Sequence, residues 1–290
     1  MHVAIIGGDR RMLYAAEEFL QDGAEVFLCG FEQAGKPSVS VKDAADRADI
    51  IVLPVRPIID GMLNAPFSKD PVALSELTAA CGTKPIFSGF ADSIREHFCG
   101  RVYDYAAREE FAVKNAVLTA EGAVGILVDR YQGSVFGART LVTGYGRIGR
   151  VLSRYLKALG AEVTVAARRS DARAWAQAEG LHSCDYSFKE INEYDIIINT
   201  VPAPVLTEQY IDRIKNGAIL IDLASSPGGV DADRAGERGL TFIHALALPG
   251  RTAPAAAGRI IKETICTIIK EENGGKDYCG LCDDRLLLHL

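Results

Sequence analysis

The chain has 290 residues, 48% of them hydrophobic and 24% charged, with a formal net charge of -6. Those are ordinary values for a folded globular protein with room for two domains, and a chain without a long Lys/Arg run lacks the basic footprint of a nucleic-acid binder. No uninterrupted apolar stretch is long enough to point to a membrane span, and seven dispersed cysteines fit a reducing cytoplasm better than a disulfide framework.

In chain order, the first half offers apolar runs at VAIIGG (3–8), EVFLCGF (25–31), DIIVLPV (49–55), KPIFSGF (84–90) and RVYDY (101–105). The second half repeats the pattern at RTLVTG (139–144), AEVTVAA (161–167), DIIINTV (195–201), AILIDLA (218–224) and LTFIHAL (240–246). Most are continuous rather than alternating, as expected of strands covered on both faces of a parallel sheet. Stretches with helical spacing and a terminal glycine lie between them, MLYAAEEFLQDG and ARAWAQAEG among them. This predicts an α/β protein of two doubly wound, parallel-sheet, Rossmann-like domains with an interdomain cleft. The first occupies 1–114. Residues 107–131 carry little turn chemistry, which places a helical connection at 115–136. The second domain runs over 137–252, and a helix at 253–272 packs back on the first. A tail at 273–290 holds Cys279 and Cys282 as a lone CxxC, too few ligands for a structural zinc site, so no metal is expected.

The sharpest local signal is Gly144-Tyr145-Gly146-Arg147-Ile148-Gly149, with a strand before it and a helical segment after it. Gly144 permits a tight turn, Gly146 lets backbone approach a pyrophosphate, and Gly149 lets helix pack on strand. The pyrophosphate is then held at the positive end of the helix. The next strand ends in Arg168-Arg169-Ser170, where an NAD site would place an acid for the ribose hydroxyl. Guanidinium groups suit a 2′-phosphate, so the expected cofactor is NADP rather than NAD.

Ligands in open α/β sheets lie outside the carboxyl ends of the strands. Two further strand ends therefore join the cofactor site: Thr200-Val201-Pro202, and Ala224-Ser225 in DLASSPGG (222–229). Arg251 precedes the last helix and is placed to take a carboxylate. In the first domain Gly7-Gly8-Asp9-Arg10-Arg11 lacks the third glycine, so no second dinucleotide is expected. Its charged residues either hold substrate or cap a helix. Arg56 follows the third strand.

Together IIGGDRR (5–11), LPV (53–55), FSG (87–89), TAEG (119–122), GYGRIG (144–149), DLASSPGG (222–229) and LPGRTAPAAAG (248–258) resemble the dipicolinate synthase A-subunit family, over about residues 1–272. The resemblance implies NADP-dependent oxidation of dihydrodipicolinate to dipicolinate with a flavoprotein-like B subunit. It further implies sporulation, location in the mother-cell cytoplasm and a homo- or hetero-oligomer, with neither nucleic acid nor membrane as partner. Arg10, Arg56 and Arg251 become the candidate substrate cations. The candidate acid–base residues are His244, which is alternatively a core histidine, and Glu121, which alternatively serves packing or a cap. Neither is thereby identified as the proton acceptor. An Arg and a carboxylate-backed His, expected of a 2-hydroxyacid dehydrogenase, are not evident in the second half. Two other readings stand beside the first: an alanine or 2-hydroxyacid dehydrogenase-like oxidoreductase, and a non-catalytic nucleotide-binding subunit of a complex.

Overall fold

The computed structural model describes residues 1–274, so the Cys279–Cys282 pair lies outside the described residues. Its contacts divide into two compact units: Met1–Asn115 with the described residues from Ala253, and Ala116–Thr252.

The first unit runs β1 (His2–Ile6), α1 (Arg10–Gln21), β2 (Glu25–Cys29), α2 (Val41–Arg47) and β3 (Ile50–Val52). A short hairpin follows, β4 (Ile58–Ile59) with β5 (Met62–Leu63), then α3 (Leu74–Cys81), β6 (Ile86–Ser88) and β7 (Val102–Asp104). Its main sheet is parallel in the order β2-β1-β3-β6-β7, the flavodoxin-like arrangement. The long helix α4 (Glu109–Arg130) carries the chain into the second unit.

That unit comprises β8 (Arg139–Thr143), α5 (Arg147–Ala158), β9 (Glu162–Ala166), α6 (Ser170–Ala178), β10 (His182–Cys184) and β11 (Ile196–Asn199). It continues through α7 (Glu208–Ile211), β12 (Ile219–Asp222), α8 (Ala232–Glu237), β13 (Thr241–His244) and α9 (Leu248–Thr252). The sheet is again parallel, in the order β10-β9-β8-β11-β12-β13. This is the arrangement of dinucleotide-binding folds, with its switch point between β8 and β11. The expected fold class is the one observed: two doubly wound, Rossmann-like units.

Both faces of each sheet are buried, which is why the strands read as unbroken apolar runs. On β11, Ile196 and Ile198 enter one core while Ile197 enters the other. On β1, Ala4 and Ile6 face one core while Val3 and Ile5 face the second. Three short strands escaped the sequence reading. β10 is an edge strand of three residues, HSC, without an apolar run. The two-residue strands β4 and β5 depend on the Asp60-Gly61 turn, where φ is 51° and 78°.

Contrary to expectation, α4 is by length and composition apolar enough to cross a bilayer. Its second half is accounted for by packing, since Ala120, Ala123 and Leu127 are buried in the core of the second unit.

The last helix, α10 (Pro254–Glu272), lies against α1 of the first unit. Gly258 makes the close approach: a Cβ there would stand 2.6 Å from Arg11 O and 2.7 Å from Ala15 N. Lys262 Nζ pairs with Asp22 at the other end of α1. Gly-to-Ala in a helix interior ordinarily stabilises by about 1 kcal/mol. Here the added methyl meets backbone, and we expect Gly258→Ala to destabilise the first unit by about 2 kcal/mol instead, read as a lowered Tm.

Candidate functional site

The glycine turn sits at the switch point of the second sheet. Gly144 adopts φ of +92°, open to glycine at little cost, and its N–H donates to Ala166 O over 2.8 Å, tying the turn to the end of β9. A Cβ on Gly149 would fall 2.2 Å from Gly144 O, so the first turn of α5 lies directly on the turn backbone. A Cβ on Gly146 would meet nothing within 4 Å. Gly146 is also the N-cap of α5 and places no side chain over the helix start. The arrangement leaves a cradle above uncapped N–H groups, which is the geometry a pyrophosphate requires. Ile148 packs into the core behind it, and Arg147 begins the helix. Tyr145 is buried, with the Arg150 guanidinium 5.3 Å from its ring centre. Burial, assisted by the Glu179 carboxylate, pushes its hydroxyl up to about 12. At neutral pH the Tyr145 hydroxyl is therefore protonated.

At the end of β9 the two arginines part company. Arg169 is engaged by Asp171, with Nε donating to Oδ1 over 2.9 Å and Nη2 to Oδ2. That guanidinium holds the Asp171 carboxyl below the usual carboxylate range. Arg168 is exposed, and its side chain makes no hydrogen bond or ion pair among the described residues. Ser170 starts α6 immediately after.

A polar row crosses the carboxyl ends of four neighbouring strands: Thr143, Asn199, Asp222 and His244 pair in register on β8, β11, β12 and β13. Asn199 and Asp222 are fully buried. The Asn199 carboxamide accepts from Thr143 Oγ1 and from Val201 N (3.1 Å), and donates to Val201 O (3.0 Å) and to Asp222 Oδ1 (2.7 Å). Asp222 also accepts from Ala224 N and Gly229 N, each over 2.9 Å. These bonds fix the two loops that carry Thr200-Val201-Pro202 and Ala224-Ser225. Thr200 Oγ1 donates to Thr143 O over 2.7 Å and stands 2.5 Å from where a Gly144 Cβ would be. The structure thus brings the glycine turn and the Thr200 loop together. Sequence reasoning missed the roles of Asn199 and Asp222. The available signal was a polar residue closing each apolar run, DIIIN and AILID.

His244 is exposed at the end of β13, not a core residue, and its Nε2 lies 3.4 Å from Ala224 O. No carboxylate pairs with it among the described residues. Glu121 is exposed on α4 and makes no hydrogen bond or ion pair among them either. Arg251 lies in α9, its Nη1 donating to Leu246 O over 3.5 Å. In the first unit, Asp9 caps α1 by accepting from Arg11 N (3.0 Å), and Arg11 Nη2 pairs back to it over 2.8 Å. Arg10 is left exposed at the start of α1, and Arg56 beyond the end of β3. The switch point of that sheet falls between β1 and β3.

Comparison with known proteins divides the chain at the same place as its two sheets. Residues 2–103 match the N-terminal domain of the dipicolinate synthase A subunit. Residues 119–230 match the NAD-binding domain of D-isomer-specific 2-hydroxyacid dehydrogenases. The dipicolinate synthase A subunit of Bacillus subtilis (strain 168) is 29% identical over 286 residues, covering 93% of this chain and 96% of that one. The crystal structure of the dipicolinate synthase A subunit from Bacillus halodurans superposes with a TM-score of 0.83 at 29% identity, over 92% of this chain and 97% of that chain. The chain is similar to these dipicolinate synthase A subunits over nearly its whole length. At 17% identity, D-lactate dehydrogenase from Escherichia coli shares the fold alone, with a TM-score of 0.61 over 96% of this chain and 99% of that one. The second unit is a pyridine-nucleotide-binding domain of the dehydrogenase type, and the Gly144–Gly149 turn lies inside the matched segment.

Proposed function

We propose that this chain is the A subunit of a dipicolinate synthase, oxidising dihydrodipicolinate to dipicolinate with NADP in company with a flavoprotein-like B subunit. The carrying observation is the joint match: an N-terminal unit of the dipicolinate synthase type on a chain whose second unit has an open nucleotide cradle. Dihydrodipicolinate loses one hydride and one proton and becomes an aromatic pyridine dicarboxylate. Bound NADP supplies the hydride acceptor.

The residues of the chain do the rest. Gly144, Gly146 and Gly149, with Tyr145, Arg147 and Ile148 between them, shape the pyrophosphate cradle. Thr200, Val201 and Pro202 form one wall beside the nicotinamide, and Ala224 and Ser225 form another. Their loops are held by the Asn199–Asp222 pair. Arg168, whose side chain makes no hydrogen bond or ion pair among the described residues, takes the 2′-phosphate, with Ser170 beside it at the start of α6. Arg169 is the lesser contributor, because Asp171 already occupies it. Arg10 and Arg56 in the first unit, and Arg251 in the second, are each a candidate cation for a substrate carboxylate. His244 is the proton acceptor we favour over Glu121, because it adjoins Ala224. Aromatisation supplies driving force, so a histidine without a carboxylate partner suffices. The chain works in the mother cell of a sporulating bacterium and assembles as an oligomer.

The test is turnover by the chain combined with its B subunit. We expect dipicolinate to appear in step with nicotinamide reduction. Dipicolinate formation without nicotinamide reduction leaves the chain a non-catalytic nucleotide-binding component and overturns the reading. Arg168→Asp is expected to weaken NADP(H) binding by about 100-fold and to change NAD(H) binding by less than about threefold. Arg169→Ala is expected to cost less than about fivefold, since an exposed pair is already satisfied. Titration of each variant with both nucleotides checks this.

A further inference from the structure

The first unit holds a feature that its architecture does not require. Phe90 stands two residues beyond β6, exposed and with its backbone left-handed at φ 46° and ψ 46°. A bulky L-residue adopts that conformation at a cost, and such strain persists where the surroundings over-determine it. Here they do. Gly89 N donates to Pro54 O over 3.3 Å, Ala91 N to the Asp104 carboxylate over 2.9 Å, and Ser93 Oγ to Phe90 O over 2.8 Å. A Cβ on Gly89 would lie 2.4 Å from Val55 O, so the segment after β6 is packed onto the segment after β3.

That packing brings Arg56 to Phe90, its guanidinium carbon 5.6 Å from the ring centre. The Arg56 side chain makes no hydrogen bond or ion pair among the described residues. The neighbouring segment after β1 closes on the same spot: Gly8 N donates to Asn64 O over 2.7 Å, and a Gly8 Cβ would lie 3.1 Å from Pro54 Cβ. A strained, exposed aromatic residue beneath a guanidinium with no hydrogen bond or ion pair among the described residues thus sits beyond the carboxyl ends of adjacent parallel strands, where such sheets bind ligands.

We propose that Phe90 and Arg56 form a recognition platform for a planar ring carboxylate. The phenyl face stacks on the ligand ring, and the guanidinium bridges from the phenyl face to a ring carboxylate. The inference rests on the proposed function for its choice of dicarboxylate. It adds that the site distinguishes the flat, aromatic product from a puckered ring, with Phe90 as the residue that does so. Stacking needs a flat partner, whereas ion pairing to Arg56 does not.

The test is calorimetric titration of the whole chain with three probes of matched carboxylate spacing. These are dipicolinate, its benzene analogue isophthalate, and its saturated piperidine analogue, applied to wild type, Phe90→Ala, Phe90→Gly and Arg56→Gln. Wild type is expected to prefer both flat probes over the saturated one by about tenfold. Phe90→Ala removes that preference, weakening the flat probes about tenfold and the saturated probe less than about twofold. Phe90→Gly shows the same loss with a Tm equal to or above wild type, because glycine tolerates the left-handed backbone. A purely structural phenylalanine gives a lower Tm and unaltered selectivity. Arg56→Gln weakens all three probes alike. Equal losses for flat and saturated probes, flat-probe affinities that the Phe90 variants leave intact, or no binding of either flat probe to wild type overturns the platform. Phe90-dependent isophthalate binding by a chain that makes no dipicolinate keeps the platform and discards the reaction. Wild-type dipicolinate turnover and affinity in Phe90→Ala do the reverse.

Discussion

Gly149→Ala is expected to disable the second unit, whereas Gly146→Ala, three residues away in the same motif, is expected to leave it folded. The difference follows from what each new methyl meets. At position 149 it would lie 2.2 Å from Gly144 O and 3.0 Å from Gly144 C, both backbone atoms of the turn itself. No side chain is available to swing away, so either α5 lifts from β8 or the turn opens. We expect a loss of about 3 kcal/mol or more in the stability of this unit. Nucleotide affinity falls with it, because the N–H groups that form the cradle are displaced. At position 146 the methyl meets nothing within 4 Å, and φ of -83° is allowed to alanine. Stability there changes by about 0.5 kcal/mol. The methyl does enter the space a pyrophosphate must occupy, so nucleotide affinity drops about tenfold or more. Thermal melts and nucleotide titrations of the two variants separate packing from binding. Equal Tm losses in both would contradict the account.

Asp222→Ala carries the second large effect. The carboxyl of Asp222 accepts from the Asn199 side chain and from the backbone of Ala224 and Gly229, all within 2.9 Å. Removing it strands three buried donors, and we expect a loss of about 3 kcal/mol. The functional consequence differs from that of Gly149→Ala, because Asp222 holds loops rather than the cradle. A loop displaced by an ångström costs turnover far more than it costs binding. Turnover is therefore expected to fall about 100-fold while the nucleotide Kd rises less than about fivefold. Asp222→Asn tests the polarity of the network. It keeps the volume but sets an amide N–H toward one of the donors, so it should rescue stability only in part. Full rescue of both stability and turnover by Asn would mean that Asp222 merely fills space.

The architecture was legible because burial of both sheet faces leaves a local mark. DIIIN and AILID read as strands covered on both faces of a parallel sheet, and the order of the runs then gives the two units. The glycine turn was legible for the same reason: Gly144, Gly146 and Gly149 act on their own neighbours in sequence. What escaped depends on pairing between distant segments. Asn199 and Asp222 acquire their roles only when β11 and β12 lie in register. β10 has three residues and takes its place from β9. Arg169 looked equivalent to Arg168, and the ion pair to Asp171, two residues on, distinguishes them. Asp9 and Arg11 satisfied one another as a helix cap, leaving the Arg10 side chain without a hydrogen bond or ion pair among the described residues. Phe90 read as the end of an apolar run. Its left-handed backbone and its place under Arg56 arise from three loops closing together.

The most direct test of the account is nucleotide binding by the wild-type chain, measured calorimetrically with NADP(H) and NAD(H) in parallel. The account predicts that NADP(H) binds at least about tenfold more tightly, through Arg168 at the end of β9. Tighter binding of NAD(H) would contradict the cofactor assignment. Binding of neither would make the Gly144–Gly149 turn a purely structural bend and remove the proposed oxidation with it.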